Sequence, residues 1–288
     1  MNFDSKSEME NDLAEFLNNN NINFKRNDRK LIRPYELDFF IPEKNLAIEL
    51  NGLYQHSELS CGKNSSYHYK KYKLCNDKGI KFLSFFQDEY WRKKQIIYNM
   101  ILCRLNLIKQ KRDARKLIIK EISNDKANKF YEHTHISGVC FGSSLNVALV
   151  DENEIIHSCM SFQKIQNKFI ILRFSNMLNT IIRGGFSKLL NYVIKKYSPK
   201  IIETYSDNRF SNGDLYKNHG FKMKNESPPF YFVTNYNERF YSKQFTRPKI
   251  KNRFQIDIEN KTTWECIKEI GYDRIWDCGK KKWVLELY

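Results

Sequence analysis

Two runs of strand-forming residues, YELDFFIP at 35–42 and LAIELNG at 46–52, constrain the fold of this 288-residue chain more than any other feature. The residues between them, Pro-Glu-Lys-Asn, have the composition of a tight turn, so the two runs predict a β-hairpin. Each strand carries one acid in an otherwise apolar setting, Asp38 in the first and Glu49 in the second. The hairpin therefore brings two carboxylates side by side in a buried environment.

Burial of these two acids requires compensation, because an ionised carboxylate is unstable away from water unless it is paired. A divalent cation between Asp38 and Glu49 would satisfy both, and hard oxygen ligands favour Mg²⁺ or Mn²⁺. Alternatively, one of the acids pairs with a lysine or lies on a solvent-facing side of its strand. Both interpretations remain open at this point.

The elements around the hairpin complete a compact α/β module. Met9, Leu13, Phe16 and Leu17 repeat at the spacing of one helix face. Residues 67–78 predict a second helix. The run KFLSFFQ at 81–87 predicts a buried strand, and a closing helix is expected at 89–107.

The pattern E-L-D-F-F-I-P-x(6)-E-L-N-G-x-Y-x-H, from Glu36 to His56, resembles the PD-(D/E)xK nuclease superfamily. It is similar in particular to the very short patch repair endonucleases and the phage EDxHD homing endonucleases. The resemblance covers residues 5–107 and implies a restriction-endonuclease-like domain at 1–110. That domain would hydrolyse phosphodiester bonds of DNA with Mg²⁺ or Mn²⁺ as cofactor.

The same resemblance implies the roles of individual residues. The metal ligands would be Asp38 and Glu49, and His56 would act as an acid/base or contact the phosphate. A lysine of simpler nucleases is replaced here by Asn51, so its role passes to His56 or to the helix at 67–78. The implied catalytic set is Glu10, Asp38, Glu49, Asn51, His56 and Lys71.

The charge of the chain predicts a polyanionic partner. There are 49 Lys+Arg and 33 Asp+Glu, a formal net charge of +16, which is typical of nucleic-acid-binding proteins. Residues 1–110 account for +4 of this and the remainder for +12. We therefore expect double-stranded DNA as the partner, held mainly by the second part of the chain. The candidate DNA contacts are His68, Lys70, Arg183, Lys188, Arg209, Lys249 and Lys251.

The segments ILRFSNMLNTIIRGGFSKLLNYVIKKY at 171–197 and IIETYSDNRFSNGDLYKNHGF at 201–221 resemble the GNAT acetyltransferases, in particular the DNA-modifying Mom-like members. The resemblance implies a GNAT-like mixed α/β domain at 117–245. Arg183, Gly184 and Gly185 precede a helix whose N-terminus could hold a pyrophosphate, and Tyr216 stands where the family has a general acid. Either this domain transfers an acyl group to DNA bases, or it is a scaffold whose basic surface holds DNA.

The sequence as a whole predicts an α/β protein with two domains. The basic run at 111–116 is expected to be a linker, and residues 246–288 a basic and aromatic tail that either contacts DNA or packs on the second domain. The predicted function is that of a phage homing endonuclease, with cleavage of one strand or of both left open and a homodimer as one route to double-strand cleavage. The alternatives are a GNAT-type acyltransferase that modifies DNA bases and a catalytically inactive DNA-binding protein.

The expected location is the cytoplasm of a bacterial or phage-infected cell. No apolar run is long enough to span a bilayer, and the acidic N-terminus is unlike a signal peptide. The seven cysteines are scattered rather than paired as C-x-x-C, which predicts reduced thiols instead of disulfides or a zinc module.

Overall fold

The computed structural model describes residues 6–287. The first elements along the chain are α1 (Lys6–Asn19), β1 (Lys25–Asp28), β2 (Leu37–Ile41), β3 (Leu46–Asn51), α2 (Glu58–Cys61), α3 (Tyr67–Asp77), β4 (Lys81–Phe86) and α4 (Gln87–Arg92). The middle of the chain forms α5 (Lys94–Leu105), β5 (Gln110–Asp113), β6 (Ile118–Glu121), α6 (Asn124–Thr134), β7 (Leu145–Val150), β8 (Ile156–Ile165), β9 (Lys168–Asn176), β10 (Thr180–Arg183), α7 (Gly185–Tyr197), β11 (Ile201–Asp207), α8 (Asp214–Lys217) and β12 (Lys222–Ser227). The last elements are β13 (Tyr231–Thr234), β14 (Arg239–Tyr241), α9 (Arg247–Phe254), α10 (Thr263–Glu269), β15 (Asp273–Trp276) and β16 (Lys280–Glu286).

The chain divides into two compact units, each built from segments that are far apart in sequence. The first unit contains the described residues through Arg92 together with Asp207–Asn212 and Ser227–Lys280. The second unit contains Lys93–Ser206, Gly213–Glu226 and the described residues from Lys281 onward. Among the helices of residues 6–287, none combines the length and apolar character required to cross a bilayer.

The core of the first unit is a four-stranded sheet in the order β1-β2-β3-β4, in which β4 is parallel to β3 and the other pairs are antiparallel. The hairpin between β2 and β3 forms, with Phe39 opposite Ile48. A single 3₁₀ turn at Pro42–Lys44 closes it, and Asn45 ends the turn at φ +47°. Every residue of β2 and β3 is buried, so both faces of the sheet are covered and the strands do not alternate between core and solvent.

The rest of the first unit is a three-stranded sheet in the order β14-β13-β15, with α9 and α10. Two buried arginines anchor the later segments to α4. Arg239 Nε lies 2.6 Å from Asp88 Oδ1, and Arg209 Nη1 lies 2.6 Å from Glu89 Oε1. The guanidinium of Arg239 also stacks 3.9 Å from the ring centre of Phe86. This network explains why segments more than 100 residues apart belong to one unit.

The second unit contains a seven-stranded sheet in the order β12-β16-β11-β9-β8-β7-β6. Strands β6 to β9 pair as antiparallel neighbours, whereas β11 is parallel to β9. Helix α7 packs on this sheet through Phe186, Leu189, Leu190 and Val193, all buried, which is the amphipathic face that its sequence predicts. A separate two-stranded sheet pairs β10 with β5.

Three sequence expectations differ from this fold. The helix expected at 89–107 is two helices, α4 and α5, separated at Lys93, which has φ −126°. The expected linker at 111–116 is part of strand β5 followed by a 3₁₀ turn. The expected tail at 246–288 supplies α9, α10 and β15 to the first unit and β16 to the large sheet. The second and third differences arise from pairing between distant segments, which local sequence patterns do not indicate.

Gly213 provides a test of how the end of the chain is held in the second unit. Its φ is +88°, and a Cβ there would lie 2.1 Å from Cζ2 of Trp283, a residue of β16. Gly142 has a similar φ of +77° but open space around it. We expect Gly213→Ala to lower the free energy of unfolding by about 2–4 kcal/mol and Gly142→Ala by about 1–2 kcal/mol, because only the first adds a steric clash to the backbone strain. Denaturant unfolding measures both variants. If the two lose the same free energy of unfolding, the packing of Gly213 against Trp283 is contradicted.

Candidate functional site

The two acids of the hairpin lie next to each other in the first unit and are compensated from within the protein. The backbone N–H of Asp38 donates to Glu49 Oε1 at 3.3 Å, and that of Leu50 donates to Asp38 Oδ2 at 2.8 Å. The ammonium of Lys71, on α3, forms an ion pair with Glu49 Oε2. All three charged side chains are buried.

The electrostatics of this group identify the lysine as the compensating charge. Burial alone would lower the pKa of Lys71, but the carboxylates of Glu49 and Asp38 outweigh burial and raise that pKa above its ordinary value. Lys71 is therefore charged at neutral pH. Of the two kinds of compensation that the sequence left open, a lysine partner is the one present.

The other residues of the expected catalytic set have separate partners. Asn51 Nδ2 donates to Ser84 Oγ at 2.7 Å and to Phe85 O at 3.2 Å. The rings of His56 and His68 stack with centres 5.1 Å apart. Burial first, and then the nearby positive charge of Lys71, lowers the pKa of His68 to about 3. His68 is thus neutral at physiological pH.

Glu10 forms an ion pair, and the expected DNA contacts divide into buried and exposed residues. Glu10 Oε2 pairs with Arg26 Nη2 at 3.0 Å. His68 and Arg209 are buried, which corrects their expected role as surface contacts, since neither side chain is exposed to a phosphate. Lys70, Lys249 and Lys251 are exposed. Arg183 and Lys188 line a cleft of the second unit.

That cleft lies at the N-terminus of α7 and has a volume of about 710 Å³. Its lining residues are Asp113, Ala114, Arg115, Arg183, Gly184, Ser187, Lys188 and Asn191. Three of these are basic and one is acidic, so the cleft carries a positive charge. The first backbone N–H groups of a helix have no partner within the helix and favour anions. The cleft therefore has the character of an anion site.

The parallel pairing of β10 with β5 builds one wall of the cleft. Its register sets Arg183 opposite Asp113. The guanidinium of Arg183 forms a bidentate ion pair with the carboxylate of Asp113, with Nε 2.8 Å from Oδ1 and Nη2 3.0 Å from Oδ2. Lys188 Nζ donates to the carbonyls of Ala114 and Leu117 at 2.9 and 2.6 Å. These contacts hold two cations in fixed positions beside the helix terminus.

The two glycines allow α7 to begin directly after strand β10. Gly184 is the N-cap with φ +73°, a left-handed conformation that favours glycine. Gly185 begins the helix, and a Cβ there would approach Cγ2 of Ile182 to 3.0 Å. The Arg-Gly-Gly sequence thus places the helix terminus directly after the strand that carries Arg183.

Ser187, in the first turn of α7, is hydrogen-bonded to His219, which follows α8. Ser187 Oγ is 2.7 Å from His219 Nε2, and His219 Nδ1 is 2.7 Å from the carbonyl oxygen of Leu215. A carbonyl can only accept, so Nδ1 carries a proton, and in the neutral ring Nε2 accepts from the serine hydroxyl. The pair fixes Ser187 at the edge of the cleft.

A second feature of this unit is the separation of β9 from β11. The two strands pair only from Ile201 with Lys168 to Glu203 with Ile170, although both continue beyond these residues. Beyond this point, within the described residues, the polar atoms Arg173 Nε and Asn176 Oδ1 on β9 are buried without a hydrogen-bond partner. Buried polar atoms normally have partners, so the separated part of β9 is suited to a ligand with its own polar groups.

Tyr216, on α8, lies where the strands separate. Its hydroxyl is hydrogen-bonded to Thr204 of β11, and burial raises the pKa of Tyr216. The ring of Tyr216 packs against the ring of Phe186, in the first turn of α7, with ring centres 5.9 Å apart. A proton donor, the separated strands and the anion cleft are thus parts of one unit.

Sequence reasoning identified Arg183, Gly184, Gly185, Lys188 and Tyr216 but missed several neighbours. Asp113 and Arg115 fall at the predicted basic linker, where the structure has strand β5 and a 3₁₀ turn. Ser187 and His219 had no motif to mark them. Their proximity depends on the packing of α8 against α7, which is a tertiary contact.

Solved structures with partial similarity to this chain are acetyltransferases. No family model matches the chain, and no curated protein matches it. The ribosomal-protein-S18-alanine N-acetyltransferase of Escherichia coli is 13% identical, with a TM-score of 0.34, over 59% of this chain and 93% of that one. An acetyltransferase of Bacillus subtilis in complex with CoA is 14% identical, with a TM-score of 0.35, over 60% and 100%. A GNAT family N-acetyltransferase of Escherichia coli in complex with CoA is 9% identical, with a TM-score of 0.30, over 37% and 69%.

The helices and sheets of the structure confirm the α/β class, whereas similarities at these TM-scores do not show a family for this chain. The structures named above are transferases rather than hydrolases, and two of them contain CoA. Residues 6–287 contain no group of three or more His, Cys, Asp or Glu side chains suited to a metal ion. Lys71 pairs with Glu49 where the sequence predicted a Mg²⁺ or Mn²⁺ ion, so the prediction of a metal-dependent homing endonuclease is not supported, and a restriction-endonuclease-like domain is not shown.

The role of Lys71 as the compensating charge can be tested by unfolding. We expect Lys71→Met to lower the free energy of unfolding by about 3–5 kcal/mol, because it leaves buried carboxylates without a cation. Lys71→Met combined with Glu49→Gln should recover part of this loss, since the unpaired charge is removed.

Lys73→Met provides the matched control on the same helix. Lys73 pairs with Asp77 at 3.2 Å, and both side chains are 54% exposed, so its loss should change stability by less than about 1 kcal/mol. The account fails if the Lys71 and Lys73 variants unfold at the same denaturant concentration, or if the double variant recovers nothing.

Proposed function

We propose that this chain is a GNAT-type acyltransferase that binds an acyl-CoA in its second unit. The observation that carries the proposal is the combination, around the first turn of α7, of an anion cleft, separated strands and a partly buried tyrosine. CoA combines a phosphorylated nucleotide with a long arm that contains two amides and ends in a thiol. Each part of that molecule has a matching feature in the unit.

The cleft suits the phosphates. Arg183, Lys188 and Arg115 supply positive charge, and the backbone N–H groups of the first turn of α7 point toward it. Such a helix terminus binds a pyrophosphate through backbone groups and the helix dipole. Ser187, held by His219, adds a hydroxyl at the edge of the cleft.

The separated strands suit the amide-containing arm. A strand whose edge is unpaired offers N–H and C=O groups to an extended ligand, which can add to the sheet as a further strand would. The C-terminal part of β9, which leads toward β10 and α7, is such an edge. The buried Arg173 Nε and Asn176 Oδ1 mark the same segment as polar and unsatisfied.

The chemistry that the bound thioester would supply is an acyl group activated for transfer to an amine or hydroxyl. Tyr216 is suited to the role of general acid. Its raised pKa keeps the phenol protonated at neutral pH, and a phenol at the point of strand separation could donate its proton to a departing thiolate. Proton donation by a positioned side chain accelerates such reactions by about 10²- to 10⁴-fold.

The first prediction concerns cofactor binding. Arg183→Gln should weaken CoA binding about 10- to 100-fold, because it removes a charge-assisted contact and leaves Asp113 uncompensated in the cleft. Asp113→Asn should strengthen binding, because it removes the only negative charge among the lining residues of the cleft. Isothermal calorimetry with CoA measures both.

Lys195→Gln is the matched control for this experiment. Lys195 is exposed in the last turn of the same helix and loses the same charge far from the cleft. Absence of CoA binding by the unaltered protein would contradict the proposal. An equal effect of the Arg183 and Lys195 variants would contradict the assignment of the cleft.

The second prediction concerns the proton donor. Tyr216→Phe should lower kcat by about 10²- to 10⁴-fold and leave the Kd for CoA unchanged, measured as acetyl-CoA consumption with DNA, polyamine and peptide acceptors. Tyr192→Phe is the control, since the Tyr192 hydroxyl binds Glu121 on the surface of the same unit. Full activity of the Tyr216 variant would exclude the tyrosine as general acid.

A further inference from the structure

A group of unpaired positive charges covers α9 and the turn before it in the first unit. We call this group the basic surface, and its members are Lys243, Arg247, Lys249, Lys251 and Arg253. All five are exposed, and no acidic residue occurs from 239 to 256. None of the five forms an ion pair with another described residue, whereas Lys261, slightly further along, pairs with Glu269 at 2.8 Å.

Hydrogen bonds to carbonyl oxygens hold parts of the basic surface in place without neutralising it. Arg247 Nη2 donates to the carbonyl of Ile258 at 2.7 Å, and Lys249 Nζ donates to that of Lys243 at 2.9 Å. A carbonyl carries no net charge, so the positive field remains. Side chains that are already ordered lose less conformational entropy on binding.

The position of α9 on the unit determines which way these charges project. Ile250 is buried and Phe254 packs against the same core cluster as Val233 and Phe245. Successive residues of an α-helix are about 100° apart, so Arg247 and Lys251 form a row on one side of the buried residues. Lys249 and Arg253 form a second row on the other side. Pro248 and Asn252 lie between the two rows on the outer face.

Two rows of cations on opposite sides of one helix match a ligand with two lines of negative charge. The major groove of B-form DNA is about 12 Å wide, admits an α-helix and has a phosphate backbone on each side. The major groove of an RNA duplex is too narrow for side chains to read. A flat anionic membrane presents its charge to the outer face alone.

We propose that the basic surface binds double-stranded DNA, with α9 in the major groove and its two rows contacting the phosphates on either side. The surface belongs to the first unit, and its binding is independent of the proposed acyl transfer. Lys249 and Lys251 were expected from the sequence, whereas Lys243, Arg247 and Arg253 come from the structure. The contacts are to phosphate and are therefore tolerant of base sequence.

The test is the salt dependence of binding. Fluorescence anisotropy with a labelled DNA duplex of mixed sequence, without CoA, gives the slope of log K against log salt concentration, which is about −0.9 per phosphate contact. Arg247→Gln with Lys251→Gln, which removes the first row, should make the slope shallower by about 2. Lys249→Gln with Arg253→Gln should have a similar effect, because the second row contributes as much as the first.

The matched control is Lys78→Gln with Lys81→Gln. These lysines are exposed elsewhere in the same unit, and the control removes the same total charge. Thermal unfolding of all variants confirms that they remain folded. A control slope equal to that of the unaltered protein, with shallower slopes for both α9 variants, supports the proposal.

Three outcomes would overturn it. The first is an equal change in slope for the control and the α9 variants, which would mean that only net charge matters. The second is equal or tighter binding of an RNA duplex of the same length. The third is binding to vesicles with an anionic phosphatidylserine surface that depends on the same residues while the DNA duplex does not bind. None of these measurements depends on acyl transfer, so their failure is distinguishable from failure of the proposed function.

Discussion

The separation of β9 and β11 after three paired residues is the constraint on which the chemistry of the second unit depends. Had the strands continued to pair to their ends, the backbone N–H and C=O groups along this edge of β9 would be satisfied within the sheet. On the same part of β9, the side-chain atoms Arg173 Nε and Asn176 Oδ1 are buried without a hydrogen-bond partner. The strand then continues through β10 to the terminus of α7, so the open edge and the anion cleft follow each other along one stretch of chain.

The first unit illustrates how a catalytic pattern and a structural one can share the same residues. Two acids on a hairpin, with a lysine on the next long helix, resemble a metal-dependent nuclease. In the structure, the ammonium of Lys71 takes the position of the compensating charge for Glu49. The sequence pattern predicts that two carboxylates are buried together, but it does not indicate whether a metal ion or a lysine neutralises them.

Features determined by neighbours in sequence could be predicted, and those determined by distant segments could not. The hairpin around Asn45, the apolar face of α1 and the amphipathic α7 depend on local periodicity and turn chemistry. Arg183 with Gly184 and Gly185 was recognisable as a possible anion-binding turn. The contact of Arg183 with Asp113 spans 70 residues, and it required the parallel pairing of β5 with β10, which the sequence presents only as a basic run. The composition of the first unit depends on the ion pairs of Arg209 and Arg239, whose nearly covered side chains contradict the usual expectation for arginine.

Hydrogen–deuterium exchange with and without saturating CoA tests the central claim most directly, because it reports on the backbone N–H groups that the proposed site would use. The account predicts slower exchange on CoA addition at the first turn of α7, in Gly185, Phe186 and Ser187, and in the C-terminal half of β9. Exchange in α9 and β13 of the first unit should not change. Unchanged exchange at α7 and β9, or protection that appears only in the first unit, would contradict the assignment of an acyl-CoA site to the second unit.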